Sequence, residues 1–308
     1  MSMLRRQAPA KVNLALAVSG RRDDGYHLLR SVFLRLALHD VLEAEPDPTG
    51  GPDSLSIEGE LEATEDNLVL RATALLREAV GPPLPALRFR LQKRIPAAAG
   101  LGGGSSDAAA ALELALQAWG VQLRPAQRLR TALRLGADVP FFAAAHGAAV
   151  VQGIGERLTR LPAPDPPAGL VLITPRQRLS TADVFAELDR RPSRDSGVAA
   201  RVDELAALLA RGIDGTALAA ATQELADTND LWPPAIRLSP GLAAAHDAAT
   251  RVLGRAVMLS GSGPTLFAVY PSEAAATHAA ITLQSERPAA LEDAVILTTT
   301  SSERGADP

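Results

Sequence analysis

A glycine-rich segment at residues 96–111 joins a loop to the start of a helix and has the composition of an anion-binding site. Its sequence is Pro-Ala-Ala-Ala-Gly-Leu-Gly-Gly-Gly-Ser-Ser-Asp-Ala-Ala-Ala-Ala. Glycine accepts positive φ angles, so successive backbone N–H groups can turn toward one ligand. We expect Ser105 or Ser106 to cap the helix that follows, and Asp107 to lie at the positive end of its dipole. Free amides and a helix dipole together favour a phosphate group.

This segment departs from two commoner nucleotide-binding motifs. No Lys-Ser/Thr pair follows the glycines, as a P-loop requires, and Ser105 takes the place of the last glycine of G-x-G-x-x-G. A flexible glycine turn before an ordinary helix is the alternative interpretation, because a helix cap after a glycine run is common.

Lys11 and Asn13 are polar residues inside an apolar segment, residues 10–18, that alternation predicts to be a strand. Residues two apart on a strand point to the same face, so this pair could face a phosphate and a hydroxyl. Exposed polarity on an edge strand is the alternative. Lys11 is one of only two lysines among 31 basic residues, which favours a site that needs a compact ammonium. The other lysine, Lys93, lies beside Arg94 and is expected to be a solvated surface charge.

Asp138 is the candidate carboxylate for chemistry. It follows a predicted helix end among apolar residues, so it is either an N-cap or a functional acid. Phosphoryl transfer needs a cation near the developing charge and a carboxylate that orients or deprotonates the acceptor hydroxyl, which makes Lys11 and Asp138 the candidate catalytic pair. Asn13 could position that hydroxyl, and the hydroxyl of Ser105 or Ser106 could help to coordinate Mg²⁺.

Four ring side chains could bind a planar base. Tyr26 and His27 end a polar turn and, with Phe33, could form one wall of a pocket that stacks on the base. Phe185, early in the second half of the chain, could supply the opposite wall. His27 has no metal-ligand spacing with other histidines and is not taken as a catalytic base. A place in the core is the alternative for Phe33.

Composition excludes several classes of protein. A net charge of −4 argues against a nucleic-acid surface, which needs a basic face. Without cysteine there can be no disulfide, thiolate nucleophile or Cys-ligated metal. No run of about twenty apolar residues is free of charge, and the amino end has no signal-peptide pattern, so we expect a cytoplasmic protein with no membrane partner. Monomer and homodimer both remain open.

The order of predicted elements indicates an α+β protein of two domains with separate cores. Four prolines in residues 162–167 mark the boundary, giving domains at 1–163 and 164–300, with a disordered tail at 301–308. Residues 43–60 are expected to form short strands and turns. The other predicted strands are 10–18, 28–38, 87–91, 147–152, 170–174, 255–259, 265–270 and 294–298. The predicted helices are 68–80 with a stop at 81–83, the glycine loop to Trp119, 125–135, 181–188, further helices to about Asp227, 240–253 and 273–284.

Three motifs, in this order along the chain, resemble those of the GHMP small-molecule kinases. They are Pro-Ala-Lys-Val-Asn-Leu at 9–14, residues 96–106 with the following helix, and Leu-Ser-Gly-Ser-Gly-Pro-Thr-Leu at 259–266. The resemblance covers residues 8–270. It implies a two-domain GHMP kinase fold, with an amino-terminal domain like ribosomal protein S5 domain 2 and a ferredoxin-like carboxy-terminal domain.

Four further segments, 20–27, 100–107, 136–141 and 229–231, resemble one branch of that family. That branch implies ATP-dependent phosphorylation of the 2-hydroxyl of cytidyl-diphospho-methylerythritol, a step of the non-mevalonate isoprenoid pathway. Trp232 stands where many relatives carry an acid, which leaves the role of 229–231 open. The alternatives are a family member acting on another small alcohol, a diphosphate decarboxylase, and a catalytically silent nucleotide sensor.

The resemblance also assigns roles by position. It gives Lys11 and Asp138 the catalytic roles, and it makes ATP and a small molecule the ligands, with Mg²⁺ as cofactor. The substrate-binding residues that it implies, together with those reached above, are Asn13, Tyr26, His27, Phe33, Phe185, Gly261, Ser262 and Gly263. The ATP-phosphate loop is Pro96, Ala97, Ala98, Ala99, Gly100, Leu101, Gly102, Gly103, Gly104, Ser105 and Ser106, of which the two serines are the candidate Mg²⁺ ligands.

Overall fold

The computed structural model describes residues 3–58, 66–81, 84–190, 197–224 and 228–303. Its strands are β1 (Leu4–Arg21), β2 (His27–Pro46), β3 (Ser54–Glu58), β4 (Leu87–Gln92), β5 (Ala148–Gly153), β6 (Arg157–Leu161), β7 (Gly169–Thr174), β8 (Met258–Leu259), β9 (Leu266–Tyr270) and β10 (Val295–Thr300). Its helices are α1 (Leu68–Val80), α2 (Gly103–Trp119), α3 (Pro125–Leu135), α4 (Val139–Ala143), α5 (Thr181–Asp189), α6 (Val198–Ala210), α7 (Gly215–Glu224), α8 (Trp232–Leu238), α9 (Pro240–Leu253) and α10 (Glu273–Glu286). None of these helices is long and apolar enough to span a membrane.

Two long strands organise the amino-terminal sheet. β1 and β2 form an antiparallel hairpin that places Lys11 opposite Arg35 and Asn13 opposite Phe33. β2 also pairs with β5 near the hairpin turn and with β4 farther along, while β6 and β3 extend the sheet at its two ends. Residues 10–16 are all buried because α2 and α6 both pack against β1. A polar side chain in that stretch therefore needs a partner or a ligand.

The carboxy-terminal sheet has four antiparallel strands in the order β10-β7-β9-β8. Counted along this half of the chain, the order is fourth, first, third, second. α10 joins β9 to β10 and packs on the sheet, and α5 to α9 lie between β7 and β8. This β-α-β-β-α-β arrangement confirms the ferredoxin-like prediction for the second half.

The core is continuous across the predicted domain boundary. One cluster of buried side chains includes Val12 and Leu34 from the first sheet together with Leu170 and Phe267 from the second. The expectation of two separate cores is therefore wrong, because β1 and β2 present apolar side chains to α6 and to the second sheet as well as to α2. Further clusters lie on the far side of each sheet.

Residues 162–167 form neither helix nor strand, as predicted. The disordered tail is wrong at its start: Ser301 is buried, and its backbone N–H donates to Ala168 O at 2.8 Å. Glu303 accepts a hydrogen bond from the Ala163 N–H at 2.9 Å. These residues are ordered by pairing with the boundary segment, which local composition does not reveal. Residues 304–308 lie outside the described residues.

Residues 43–60 also differ from expectation at one end. β2 continues without interruption to Pro46, because β4 pairs with it from Val41 to Pro46, and only β3 is a short strand. The strand expected at 255–259 is shorter and begins at Met258. Predictions for residues 59–60, 82–83 and 225–227 fall outside the described residues.

Candidate active site

The helix that follows the glycine loop, α2, begins earlier than a cap at Ser105 or Ser106 would allow. α2 begins at Gly103, and Gly102 is its N-cap with φ 71°, so neither Ser105 nor Ser106 caps it. The backbone N–H of Ser106 is already used within the helix and donates to Gly102 O at 2.9 Å. Ala98 and Gly100 also have positive φ, 51° and 76°. The loop therefore changes direction at every second residue before the amides of the first helical turn, which have no intrahelical acceptor.

Three successive carbonyls fasten this loop to the protein. Ala99 O accepts from the Thr265 N–H at 3.2 Å, and Leu101 O accepts from the Lys11 N–H at 2.9 Å. Between them, Gly100 O accepts from Ser260 Oγ at 2.9 Å. Because these oxygens are bonded to protein, they are not available to repel an anion. Leu101 itself is buried and packs into the core.

Lys11 lies at the centre of the polar groups. Its Nζ donates to Asn13 Oδ1 at 2.6 Å and is 3.4 Å from Asp138 Oδ2. It also lies 4.7 Å from the centre of the Phe33 ring. Asn13 in turn donates from Nδ2 to Ser31 Oγ at 3.0 Å. Lys11 and Asn13 are each 3% exposed, so they are buried polar groups and not the exposed edge-strand pair of the alternative interpretation.

Asp138 occupies the N-cap position of α4, but its side chain makes no capping hydrogen bond. The carboxylate is 29% exposed and turned toward Lys11. The start of α4 therefore fixes the backbone of Asp138, while its carboxylate is free to interact with Lys11 or with a ligand. Sequence alone could not separate these two uses, because the same residue types serve both.

These groups share one cavity of about 790 Å³. Its walls come from β1, β2, the glycine loop, α4, the start of α5 and the third glycine motif. The predicted residues that line it are Lys11, Asn13, Phe33, Pro96, Ala97, Ala98, Ala99, Gly100, Gly102, Gly103, Gly104, Ser105, Asp138, Phe185, Gly261, Ser262 and Gly263. Ser106 does not line it, since its side chain points to a second cavity behind α2. Of the two serines, Ser105 is therefore the one placed to coordinate Mg²⁺.

Of the predicted base-binding residues, Phe185 and Phe33 line the cavity, whereas His27 does not. Phe33 is also buried in a core cluster, as its alternative interpretation had it. The rings of His27 and Phe185 stack on each other, with centroids 4.6 Å apart and planes inclined by 27°. A planar base between two rings would need them roughly 7 Å apart. The prediction of two opposite walls is therefore wrong for this conformation, in which the two rings form a single wall. Tyr26 is exposed and lies outside the cavity lining.

Asp189, which the sequence did not single out, fixes the orientation of His27. Its Oδ1 lies 2.7 Å from His27 Nε2, and its Oδ2 lies 3.2 Å from a guanidinium nitrogen of Arg21. Asp189 is the last residue of α5, the same helix that carries Phe185. The sequence signal for this role is an acidic residue one helical turn after Phe185. Such a spacing is too common to identify a functional residue by itself.

Asn229 supports the third glycine motif, and this gives the segment 229–231 a structural role. Its Nδ2 donates to Leu259 O and to Gly261 O, each at 2.9 Å. Its Oδ1 accepts from the Leu231 N–H at 2.9 Å. The departure at Trp232 does not disturb this arrangement, because that ring is absent from the cavity lining and packs against His246.

The prediction of Lys93 as a solvated charge is wrong. Its side chain is 9% exposed and makes ion pairs with Asp40 and, at 2.8 Å, with Asp107. Burial opposes its charge, but the two carboxylates together raise the pKa of Lys93. Asp107 is not at the helix end either: burial, with a further contribution from Asp40, raises its pKa to about 7 despite the neighbouring ammonium. Lys93 and Asp107 both line the cavity beside the glycine loop.

Comparison with known proteins identifies relatives of this chain. Residues 67–147 match the GHMP kinases N terminal domain and residues 205–286 match the GHMP kinases C terminal domain. The chain is 40% identical to the 4-diphosphocytidyl-2-C-methyl-D-erythritol kinase of Granulibacter bethesdensis, over 91% of this chain and 89% of the relative. It is 43% identical to the same-named kinase of Paramagnetospirillum magneticum, over 92% and 94%.

Solved structures agree with these relatives. A crystal structure of 4-(cytidine 5'-diphospho)-2C-methyl-D-erythritol kinase is 35% identical, has a TM-score of 0.71, and is matched over 97% of this chain and 100% of that one. Homoserine kinase from Cytophaga hutchinsonii superposes with a TM-score of 0.73 at 20% identity, over 99% and 96%. The second likeness is one of fold alone.

Proposed function

The chain belongs to the GHMP kinase family, within its 4-diphosphocytidyl-2-C-methyl-D-erythritol kinases, and we infer that Lys11 and Asp138 carry out its reaction. The reaction transfers the terminal phosphoryl group of ATP to the 2-hydroxyl of 4-(cytidine 5'-diphospho)-2-C-methyl-D-erythritol. The products are the 2-phosphate and ADP, in the non-mevalonate route to isoprenoid precursors. One observation carries the assignment of residues: an ammonium and a carboxylate 3.4 Å apart share a cavity with the glycine loop.

Lys11 supplies positive charge where charge develops on the transferring group. Phosphoryl transfer passes through a largely dissociative transition state, so positioning and electrostatic stabilisation contribute most of the catalysis. The ammonium is nearly fully buried and held by Asn13 and by the face of Phe33, so it does not have to reorganise during the reaction. Its stem passes Gly102, where a side chain would approach Lys11 Cγ to 3.1 Å.

Asp138 accepts or orients the proton of the substrate hydroxyl. The carboxylate is the partly exposed member of the pair, so a substrate in the cavity can reach it. Its neighbour Lys11 keeps the oxygen oriented toward the same point at which the phosphoryl group arrives. Asn13, bonded to Lys11 and Ser31, is placed to hold the hydroxyl from the other side.

The glycine loop and the first turn of α2 bind the phosphates of ATP. Their amides are available, their carbonyls are bonded elsewhere, and the positive end of the helix faces the cavity. For Mg²⁺, the described residues contain no cluster of three or more acidic, His or Cys side chains. Mg²⁺ in kinases needs only one or two protein oxygens beside phosphates and water, so we propose that the Ser105 hydroxyl, which lines the cavity, would hold it together with the phosphates of ATP. Bound there, Mg²⁺ would neutralise charge on the phosphates.

The His27–Phe185 stack marks the end of the cavity that takes the cytosine, with Tyr26 at its outer margin. A base can stack on the Phe185 face that lines the cavity, or the two rings can separate around it. For the oligomeric state, monomer and homodimer both stay proposals. For its location we propose the cytoplasm, where ATP is available as the phosphoryl donor.

One assay tests this function directly. ADP release should depend on the cytidyl-diphospho sugar alcohol, and it should not be supported by homoserine or mevalonate at the same concentration. Release of labelled CO₂ would instead indicate a diphosphate decarboxylase. ATP binding without ADP release on any of these alcohols would indicate a nucleotide sensor.

A further inference from the structure

A second cavity, of about 320 Å³, lies behind α2 on the side opposite the glycine loop. Ser106, Ala109, Ala110 and Glu113 line it from one face of that helix, since they follow the spacing of successive helical turns. The opposite wall includes Arg35 of β2 and the segment after α4. Apart from Ser106, whose side chain is absent from the lining of the first cavity, none of the residues assigned above to phosphoryl transfer lines this cavity.

Two polar side chains of the cavity wall are buried without a partner. Arg35 is 3% exposed, and its Nη2 makes no hydrogen bond among the described residues, whereas its Nε donates to His146 O at 2.8 Å. Ser106 is 1% exposed, and its Oγ likewise has no partner in the described part of the chain. Leaving a buried donor unpaired destabilises the folded state, and a charged donor does so more strongly. Arg35 Nη2 and Ser106 Oγ are therefore both available to bind a ligand in the cavity.

The charges around the cavity do not balance. Arg128 pairs with Glu113, and Arg160 pairs with Glu303 at 2.8 Å. Arg35 has no ion pair within the described ranges, although burial lowers its pKa only to about 10 and Glu303 acts against that shift. It is therefore charged at neutral pH. A cation buried to this extent is expected to have an anion within contact distance.

We propose that this cavity binds an oxyanion of the phosphate class, held by Arg35 and Ser106 and flanked by Arg128 and Arg160. The guanidinium of Arg35 offers its unpaired Nη2 to one anion oxygen, and a serine hydroxyl donates to another. A metal cation is not the ligand, because the cavity wall carries more arginines than acids. The occupant would connect α2, β2 and the end of α4 behind the phosphate loop. This site is independent of the proposed reaction.

Titration calorimetry tests the proposal on the whole protein saturated with ADP, so that the glycine loop is already occupied. Inorganic phosphate, diphosphate and methyl phosphate are the probes. We expect one binding event that Arg35→Met and Arg160→Gln each weaken at least tenfold. Lys11→Met, which changes only the first cavity, should leave it unchanged. Binding of methyl phosphate would show that the site accepts a phosphate ester, and binding of the inorganic ions alone would show a free anion.

Arg35 is part of the core, so its substitution could disturb folding. Arg128→Gln and Arg160→Gln are the matched test, because their side chains are 39% and 60% exposed. Loss of phosphate binding in these variants with unchanged melting temperature and unchanged ADP affinity supports the site. Absence of any binding to the ADP-saturated protein would overturn it, and so would binding that all three arginine substitutions leave intact.

Discussion

Lys11 Nζ lies 3.4 Å from Asp138 Oδ2, although one residue belongs to the first strand and the other begins a short helix after α3. The contact depends on β1 being buried beside α2, which forces the lysine to find polar partners. It also depends on Asp138 being the N-cap residue of α4 without using its side chain as a cap. The site is therefore produced by two local exceptions, a buried charge in a strand and an N-cap residue that does not cap.

Asp138→Asn should lower kcat by about 10²–10⁴-fold, the usual contribution of a positioned acid-base group. The amide keeps the size of the side chain but can neither accept the hydroxyl proton nor attract Lys11 as a charge. Steady-state kinetics with the cytidyl-diphospho substrate measure this, and the KM for ATP should change little. Asp293→Asn, an exposed carboxylate far along the chain, is the control. Near-normal turnover of Asp138→Asn would remove this residue from the mechanism.

Lys11→Met should lower kcat by about 10²–10³-fold, comparable to removing one donor from a preorganised oxyanion site. Methionine keeps the unbranched stem that packs between Gly102 and Phe33, so folding should be largely retained. Arg5→Met on the same strand is the matched control, since its side chain is 61% exposed. Specific activity and melting temperature are measured together. If the melting temperature collapses while the folded fraction keeps normal activity, Lys11 is structural.

Much of this architecture could be predicted from local patterns. Period-two alternation predicts the inner part of β1, and glycine with the apolar helical pattern predicts α2 and its end at Gly120. Lys11 and Asp138 were recognisable because a lysine in an apolar strand and an acid among apolar residues are both unusual. These signals depend on a few neighbouring residues, and such signals can be read from one sequence.

Features that depend on distant partners were missed. Lys93 looks like a surface charge locally, and only its two long-range carboxylates, Asp40 and Asp107, explain its burial. Ser301 looks like part of a polar tail until Ala168 pairs with it. The sequence predicts a serine N-cap for α2, because serine is a common N-cap residue. In the structure the N-cap is Gly102, in the left-handed region, and the helix begins at Gly103.

Gly100→Ala should lower both the stability of the folded protein and its affinity for ATP. A Cβ at Gly100 would lie 2.4 Å from Ser260 O and 2.9 Å from Gly263 O, both backbone atoms, and φ is 76°. The two glycine motifs would then have to separate. Gly120→Ala has a similar φ of 63° with nothing within 4 Å of its Cβ, so it isolates the conformational cost of about 1 kcal/mol. Gly100→Ala should lower the melting temperature and raise the KM for ATP more than Gly120→Ala does. Equal effects of the two substitutions would contradict the proposed clash.

Phe185→Ala should raise the KM for the cytidyl substrate and leave the KM for ATP unchanged. Stacking of a base on an aromatic ring contributes about 1–3 kcal/mol, equivalent to about a five- to 150-fold change. Cytidine diphosphate should compete with the substrate far better than uridine diphosphate in the wild-type enzyme, and Phe185→Ala should lose affinity for both. Equal affinity of the wild type for the two diphosphates would argue against base reading by Tyr26, His27 and Phe185.

Asp107→Asn should alter how stability depends on pH. Burial raises the pKa of Asp107 from 3.8 in the unfolded chain to about 7, so the folded state holds this proton more tightly. That contribution to stability is fully present below about pH 4 and is lost as pH rises through 7, a loss on the order of 4 kcal/mol at most. Asparagine at this position stays neutral at every pH, so the variant has no corresponding loss of stability. Relative to the wild type, Asp107→Asn should therefore become more stable between pH 5 and pH 8.

Urea unfolding at several pH values measures this difference, and the sign of the slope decides between two explanations. If the Lys93–Asp107 ion pair stabilised the fold by holding Asp107 ionised, the variant would instead lose stability relative to the wild type as pH rises toward about pH 4, and the difference would be constant between pH 5 and pH 8. Asp293→Asn, at an exposed carboxylate, is measured alongside as the control. A flat difference between Asp107→Asn and the wild type from pH 5 to pH 8 would mean that burial beside Lys93 and Asp40 does not hold the proton of Asp107.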